Sequence, residues 1–171
     1  AIRSIVAQTF TAPTEVELLI IDDSSPIPAL DELADMELPP WLKLRTVQQS
    51  NAGPAAARNG AIEQAQGRWL AFLDSDDLWL PNKLQESLSH AHSTGAAIVY
   101  TAFRRISADG SQVGQLVVVP ASLSYRQLLG NTAIATSTAL VDRSKSGPGH
   151  DQPHRARGPV RRKGRPGDHR I

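Results

Sequence analysis

The chain has 171 residues, of which 40% are hydrophobic and 20% charged, a composition typical of one globular domain and not of a disordered chain. No apolar run approaches the ~20 residues that a membrane-spanning helix needs, and the lack of cysteine excludes disulfides and thiolate metal sites. The net charge of +1 conceals an asymmetry, because residues 144–171 hold 8 of the 18 Lys and Arg residues but 2 of the 17 acidic residues. The chain therefore divides into a body, residues 1–143, and a basic tail, residues 144–171.

The body alternates predicted helices and strands. In chain order these are a helix over 1–8, a strand over 16–21, a short helix over 29–36, a strand over 42–48, a helix over 55–66, a strand over 69–73, a helix over 81–92, strands over 96–103 and 115–119, a short helix over 124–129 and a strand over 139–141. The apolar runs 16–21 and 69–73 are typical of strands covered on both faces. This alternation predicts an α/β fold with an open, mainly parallel sheet and helices on both faces.

Acidic clusters follow both apolar strands. Asp22-Asp23 follows the first, and Asp74-Ser75-Asp76-Asp77 follows the second. Ligands of an open parallel sheet bind beyond the carboxyl ends of its strands, so both clusters should face one crevice. Packed carboxylates repel one another, and Mg²⁺ or Mn²⁺ would relieve that repulsion while also binding substrate phosphates. The pattern favours a metal-bridged phosphate or nucleotide; the plainer alternative is that Asp and Ser only form turns and caps here.

The segment 51–60 lies between a predicted strand and an Ala-rich helix. Gly53 allows a tight backbone, Asn51 is a candidate helix cap, and Arg58 falls in the first turns of the helix, where a pyrophosphate would be favoured. The alternative is an ordinary Ala-rich helix with one solvated arginine. Neither a Walker loop nor a dinucleotide fingerprint is present.

Other conspicuous side chains receive structural interpretations. Trp79 and Leu80 are predicted to pack in the core, with contact to an acceptor as the alternative. His90 and His92 cannot share a helix face and are predicted to lie at the surface. The segment 136–138 is predicted to be a polar turn or strand end and not a nucleophile.

These motifs, in this order and spacing, resemble the family-2 glycosyltransferases with the GT-A fold over residues 1 to about 143. The matching segments are 5–10, 19–25, 51–60, 67–79 and 81–84. The resemblance implies transfer of a sugar, usually with inversion, from a nucleotide-diphosphate sugar to a saccharide or lipid-linked acceptor, with Mg²⁺ or Mn²⁺ as cofactor. It also implies polysaccharide or glycolipid synthesis in the cytoplasm, with association at the inner membrane surface, and no nucleic-acid partner.

The resemblance also implies roles for individual residues. Asp23 would contact the nucleotide base, and Arg58 would lie near the donor nucleotide. Asp74 and Asp76 would form the family's Asp-x-Asp motif and hold the metal on the diphosphate. The expected nucleotide-sugar-binding residues are Asp22, Asp23, Arg58, Asp74, Ser75 and Asp77, and the expected metal ligands are Asp74 and Asp76.

Two departures from the family pattern concern the ends of the chain. The family's first strand would precede Ala1, so the chain is interpreted as a fragment entered partway through a helix. The acidic segment that usually supplies the catalytic base after 136–141 gives way to the basic tail. No base is therefore assigned, and the fragment is expected to be a poor catalyst. The Gly-, Pro- and Arg-rich tail is expected to be disordered, and is either a genuine basic tail or the product of a frameshift near 147–149.

Two other functions are open at this stage. A haloacid-dehalogenase-like phosphohydrolase also places Asp-x-Asp after an apolar strand, although Asp77 and Leu78 do not fit its motif. A non-enzymatic module could bind nucleic acid through the arginines of the tail.

Overall fold

A computed structural model describes residues 1–123, 126–127 and 134–145, so that most of the predicted helix at 124–129 and the chain from 146 onward lie outside the described residues. Three α-helices and seven strands have bounds within these residues, and residues 126–127 are also helical. In chain order these are α1 (Ile2–Val6), β1 (Val16–Asp22), β2 (Leu42–Gln48), α2 (Pro54–Gln64), β3 (Trp69–Ala71), α3 (Lys83–Thr94), β4 (Ile98–Val99), β5 (Phe103–Ile106), β6 (Val113–Val117) and β7 (Leu140–Asp142).

The described strands form three ladders. β1 and β2 run parallel, in register from Val16 opposite Leu42 to Asp22 opposite Gln48. β7 lies between β3 and β4 and runs antiparallel to both, and β5 and β6 form an antiparallel hairpin. The α/β class is confirmed. Among the described residues, however, parallel pairing is confined to β1 and β2, because β7 enters the second ladder in the direction opposite to its neighbours.

The apolar strands are less covered than their sequences predict. Every residue from Val16 to Ile21 is partly exposed, and the first fully buried residue of β1 is Asp22. The physical reason lies in the neighbours of β1: in the described part of the chain it pairs with β2 alone, and helix α2, which lies against it, has no fully buried residue. Two other predicted elements are shorter in the structure. The helix expected over 29–36 is a 3₁₀ turn at Asp31–Leu33, and the strand expected over 96–103 is divided between β4 and β5.

The small core forms where α3 packs against the second ladder. Ala91 of α3, Val99 of β4 and Leu140 of β7 are buried together, and partly buried side chains of Trp69, Ala71, Leu88 and Ala96 surround them. Helix α3 stops at Gly95, whose φ of 68° is the left-handed conformation that glycine adopts without strain. The side chains of His90 and His92 are both exposed, as predicted.

An ion pair between the buried Asp142 and the exposed Arg68 joins the end of β7 to the residue before β3. The carboxylate of Asp142 is fully buried and accepts two hydrogen bonds from Arg68, from Nε to Oδ1 at 3.0 Å and from Nη2 to Oδ2 at 2.7 Å. The backbone N–H and the hydroxyl of Ser144 also donate to Oδ1. The Arg68 guanidinium, followed by Ser144, holds the pKa of the Asp142 carboxyl well below its usual range despite burial.

Helix α1 is attached to the segment that precedes α3 through the buried amide of Gln8. Its Nε2 donates to the carbonyls of Ser4 and Leu80, at 3.0 and 2.8 Å, and its Oε1 accepts the backbone N–H of Leu84 at 3.0 Å. The backbone N–H of Thr9 adds a 2.8 Å bond to the carbonyl of Pro81. These bonds pair buried polar groups that would be costly if left unsatisfied.

We expect Arg68→Met to lower the urea midpoint at pH 7 several-fold more than Lys43→Met, because it leaves a buried carboxylate without its cation. Lys43→Met removes only an exposed 3.0 Å pair with Glu15 and is the matched control. Folding lowers the pKa of Asp142, so its stabilisation is present above the unfolded value of 3.8 and is lost as pH falls below it. The difference in urea midpoint between wild type and Arg68→Met should therefore become smaller at acid pH. Equal losses from both variants at pH 7 would contradict this account.

Candidate functional site

Asp22 ends β1 with its side chain buried. Its Oδ1 accepts the backbone N–H of Ser25 at 2.8 Å, and its Oδ2 accepts that of Ala29 at 3.1 Å. These N–H groups, that of Ser25 most strongly, lower the pKa of the Asp22 carboxyl. Both oxygens are used within the loop after β1, so Asp22 holds that loop, and its contact with a nucleotide sugar stays a prediction.

Asp23 joins the end of β1 to the start of α2. Its Oδ1 accepts hydrogen bonds from Nε2 of Gln49 at 2.7 Å and from the backbone N–H of Ala52 at 2.9 Å, and its Oδ2 accepts the N–H of Gly53 at 2.8 Å. These donors, Gln49 first, lower the pKa of the Asp23 carboxyl. Gly53 is the N-cap of α2 and has a φ of 85°, so a side chain there would be strained. Asn51, the predicted cap, instead donates its side-chain amide to the carbonyl of Asp23.

Arg58 links α2 to the second acidic cluster. Its Nη2 donates to Oδ1 of Asp74 at 2.7 Å, and the two side chains are 34% and 40% exposed. Asp23 binds the two residues that precede α2, and Arg58, in the second turn of that helix, binds Asp74. Three of the predicted site residues are therefore connected by continuous contacts, and Arg58 is not the freely solvated arginine of the plainer alternative.

Residues 74–77, here called the acidic loop, form a tight turn at the surface. The backbone N–H of Asp77 donates to the carbonyl of Asp74 at 3.1 Å. Ser75, Asp76 and Asp77 are exposed. Across residues 1–123, 126–127 and 134–145, no group of three or more His, Asp or Glu side chains is arranged to hold a metal ion. The carboxylates of the acidic loop thus offer part of a ligand set and not a closed cage.

Ser137 contacts both ends of the acidic loop, and sequence analysis assigned it no role there. Its Oγ accepts the backbone N–H of Asp74 at 3.0 Å, and its carbonyl accepts Nε1–H of Trp79 at 2.7 Å. The 136–138 segment is a 3₁₀ turn, in agreement with its predicted polar turn. Its position opposite the loop depends on the pairing of β7 with β3, which no local pattern reveals.

The residues after the acidic loop differ from the core packing predicted for them. Leu80 is 75% exposed and Leu78 is 61% exposed, while Trp79 between them is half-buried. The Trp79 side chain points inward because its indole N–H donates to the carbonyl of Ser137, and the side chains on either side of it point outward. The prediction of a core position is therefore wrong for Leu80.

Lys83 is a buried lysine next to the acidic loop that sequence analysis did not single out. Its side chain lies in the first turn of α3, and its Nζ stands 4.4 Å from the centroid of the Trp79 ring. In the described part of the chain Nζ has no hydrogen-bond partner. Burial lowers the pKa of Lys83 from 10.5 to about 8.

Two open clefts lie away from the acidic loop. The first cleft is bordered by α1 and the 3₁₀ turn after β1, and is lined by Arg3, Val6, Asp31, Asp35, Met36 and Glu37. The second follows α1 and is lined by residues 8–14 and Trp41. Neither contains a predicted site residue. The acidic loop therefore belongs to neither cleft.

Residues 1–145 match the model of Glycosyl transferase family 2, and the chain belongs to that family. The match confirms the resemblance in the sequence. It includes both acidic clusters, so the phosphohydrolase alternative is wrong.

Similar proteins include bacterial glycosyltransferases of polysaccharide synthesis. A putative teichuronic acid biosynthesis glycosyltransferase, TuaG, of Bacillus subtilis is 36% identical over 77% of this chain and 52% of its own length. WfgD of Escherichia coli, a UDP-Glc:alpha-D-GlcNAc-diphosphoundecaprenol beta-1,3-glucosyltransferase, is 34% identical over 86% of this chain and 56% of its own. The succinoglycan biosynthesis protein ExoW of Rhizobium meliloti is 40% identical over 49% of this chain and 26% of its own. The chain spans about half the length of the first two.

No helix in the described ranges is long and apolar enough to span a bilayer.

We expect Lys83→Met to be more stable than wild type at pH 7 and to lose that advantage as pH rises. Folding lowers the pKa of Lys83 from 10.5 to about 8, so the charged form is penalised in the folded state and wild-type stability rises between those two values. The difference in the free energy of unfolding between the variant and wild type should decrease by about 2 kcal/mol from pH 7 to pH 10. Urea unfolding at both pH values measures it, with exposed Lys43→Met as the control. Parallel pH curves for wild type and Lys83→Met would refute the burial of an unpaired amine.

Proposed function

We propose that this chain forms the donor-binding part of a glycosyltransferase that transfers a sugar from a nucleotide-diphosphate sugar to an acceptor hydroxyl. Membership of Glycosyl transferase family 2 supports the reaction class. The observation that carries the assignment of the site is the chain of contacts from Asp23 through the start of α2 to Arg58 and Asp74. These contacts connect the two acidic strand ends, which is where an α/β fold binds its ligands.

The nucleotide and diphosphate would interact mainly with Asp23, Arg58 and the acidic loop. Asp23 retains a partly exposed position at the end of β1, next to the N–H groups that start α2. Arg58 is about one-third exposed, and its guanidinium is a suitable partner for phosphate as well as for Asp74. Ser75 and Asp77 are exposed beside Asp74 and complete the proposed donor surface. Asp22 is left out of it, because its side chain is buried and bound to the loop after β1, whereas that of Asp23 is partly exposed.

The acidic loop fits a divalent cation that is shared with the substrate. Asp76 is exposed, and the ion pair of Asp74 with Arg58 uses only Oδ1, which leaves Oδ2 without a hydrogen bond among the described residues. Carboxylate oxygens suit Mg²⁺ or Mn²⁺, and such ions commonly take one or two protein carboxylates together with water and phosphate oxygens. Asp74 and Asp76 would hold the ion, which when bound would neutralise negative charge on the diphosphate leaving group.

The remaining parts of the reaction follow from the class of the enzyme. With inversion at the sugar, a carboxylate base would deprotonate the acceptor hydroxyl, and we assign none of the described residues to that task. The names of TuaG, WfgD and ExoW point to polysaccharide or glycolipid synthesis. A saccharide or a lipid-linked saccharide is therefore the proposed acceptor, and the proposed location is the cytoplasm, at the inner surface of the membrane.

We expect the chain to bind UDP or GDP only when Mn²⁺ or Mg²⁺ is present. Asp76→Asn should weaken this binding by about tenfold or more, because it removes a charged metal ligand. Asp35→Asn is the matched control, since it neutralises an exposed carboxylate outside the acidic loop. Titration calorimetry with each nucleotide, in metal and in chelator, measures the effect. Equal affinity in chelator, or wild-type affinity of Asp76→Asn, would overturn the proposed metal site.

A further inference from the structure

Ser137 is the residue that holds the acidic loop from outside. Its hydroxyl oxygen accepts the N–H of Asp74, which begins the loop, and its carbonyl accepts the indole N–H of Trp79, two residues after the loop ends. One buried residue, 7% exposed, thus binds both flanks of a surface turn. The partners are 63 and 58 positions away along the chain, so the contact is entirely tertiary.

The register of β3 and β7 places Ser137 opposite Asp74. The two strands pair antiparallel, with Trp69 opposite Asp142 and Ala71 opposite Leu140. Three residues after Ala71 and three residues before Leu140, the same register brings Asp74 opposite Ser137. The Asp74 N–H therefore finds a side-chain hydroxyl at the position where a longer ladder would continue, just beyond the last paired residues.

Apart from Ser137, the acidic loop is restrained by the ion pair of Asp74 with Arg58 and by a small number of hydrogen bonds. Its internal hydrogen bond runs from the N–H of Asp77 to the carbonyl of Asp74, and the side chains from Ser75 to Leu78 are exposed. Beyond Ser137, the loop's flank is held by the N–H of Trp79, which donates to Oγ of Ser4 at 3.1 Å. The position of Asp76 relative to Asp74 therefore depends mainly on how firmly the two flanks are held.

We infer that Ser137 is a positioning residue for the donor site: through its hydroxyl and its carbonyl it holds the acidic loop where Asp74 and Asp76 can bind the donor diphosphate together. The inference rests on the proposed function. Its physical basis is that the carboxylates of Asp74 and Asp76 bind one ligand strongly only if the loop already holds them in place. Otherwise the conformational entropy lost when the loop becomes ordered weakens binding.

Ser137→Ala tests the hydroxyl, and Thr138→Val is its matched control. Thr138 lies in the same 3₁₀ turn, is similarly buried at 6% exposed, and donates its hydroxyl to the carbonyl of Ala135 at 2.6 Å instead of to the acidic loop. Both variants remove one hydroxyl from the turn, so their thermal midpoints should fall alike. The affinity for UDP with Mn²⁺ should fall about tenfold in Ser137→Ala alone, as expected for loss of one hydrogen bond that orders the site. Amide hydrogen exchange of the segment 72–80, without ligand, should also be faster in Ser137→Ala alone.

Trp79→Phe is an independent second variant, for use also if Ser137→Ala does not fold. It keeps an aromatic ring but removes the N–H that binds the Ser137 carbonyl. Its affinity for UDP with Mn²⁺ should likewise fall.

The outcomes separate the two proposals. If wild type binds UDP with Mn²⁺ while Ser137→Ala and Trp79→Phe bind it equally well, the positioning role is wrong and the proposed function stands. If Thr138→Val loses as much affinity as Ser137→Ala, the effect belongs to the stability of the turn and the positioning role is again wrong. If wild type binds neither UDP nor GDP with metal, the proposed donor site fails, and the inference fails with it.

Discussion

Strand β7 pairs with β3 although the two lie far apart along the chain, and the geometry of the acidic loop depends on this pairing. At one end of the pair, the buried carboxylate of Asp142 binds the guanidinium of Arg68 through two hydrogen bonds. At the other end, Ser137 accepts the N–H of Asp74. An unpaired buried carboxylate is costly, so the ion pair specifies this register strongly. The same register determines what lies opposite the first residue of the loop.

The acidic side chains divide into those that support the fold and those that remain available. Asp22 and Asp142 are buried, and their oxygens are used by donors within the protein. Asp23 is intermediate, because it organises the start of α2 but stays partly exposed. Asp76 is exposed and has no partner that would compete with a ligand among the described residues. A carboxylate can bind a ligand only if folding leaves it exposed, and this condition distinguishes Asp76 from Asp22.

Polar contacts, more than apolar burial, attach the loop to the rest of the protein. Few side chains of the described residues are buried, and the cluster around Ala91, Val99 and Leu140 includes no residue of the acidic loop. The loop is attached through the hydroxyl of Ser137 and the indole of Trp79. Gln8 attaches α1 to Leu80, in the segment that follows the loop. Hydrogen bonds are directional, so such an arrangement can set the position of a surface turn that has little apolar area to bury.

The sequence by itself determined the order of helices and strands, the boundaries of β2, the family, and the chemical type of each acidic cluster. These properties depend on local periodicity, on turn residues and on motif spacing, all of which are visible along the chain. The tertiary structure alone decided that Asp22 is used within its loop, that Leu80 faces outward, that Arg58 pairs with Asp74, and that Ser137 and Lys83 lie beside the acidic loop. Those outcomes depend on which strands pair and in what register, and on which polar atoms find partners. A register between segments some 60 to 70 residues apart is set by the packing of the whole domain and not by any local pattern.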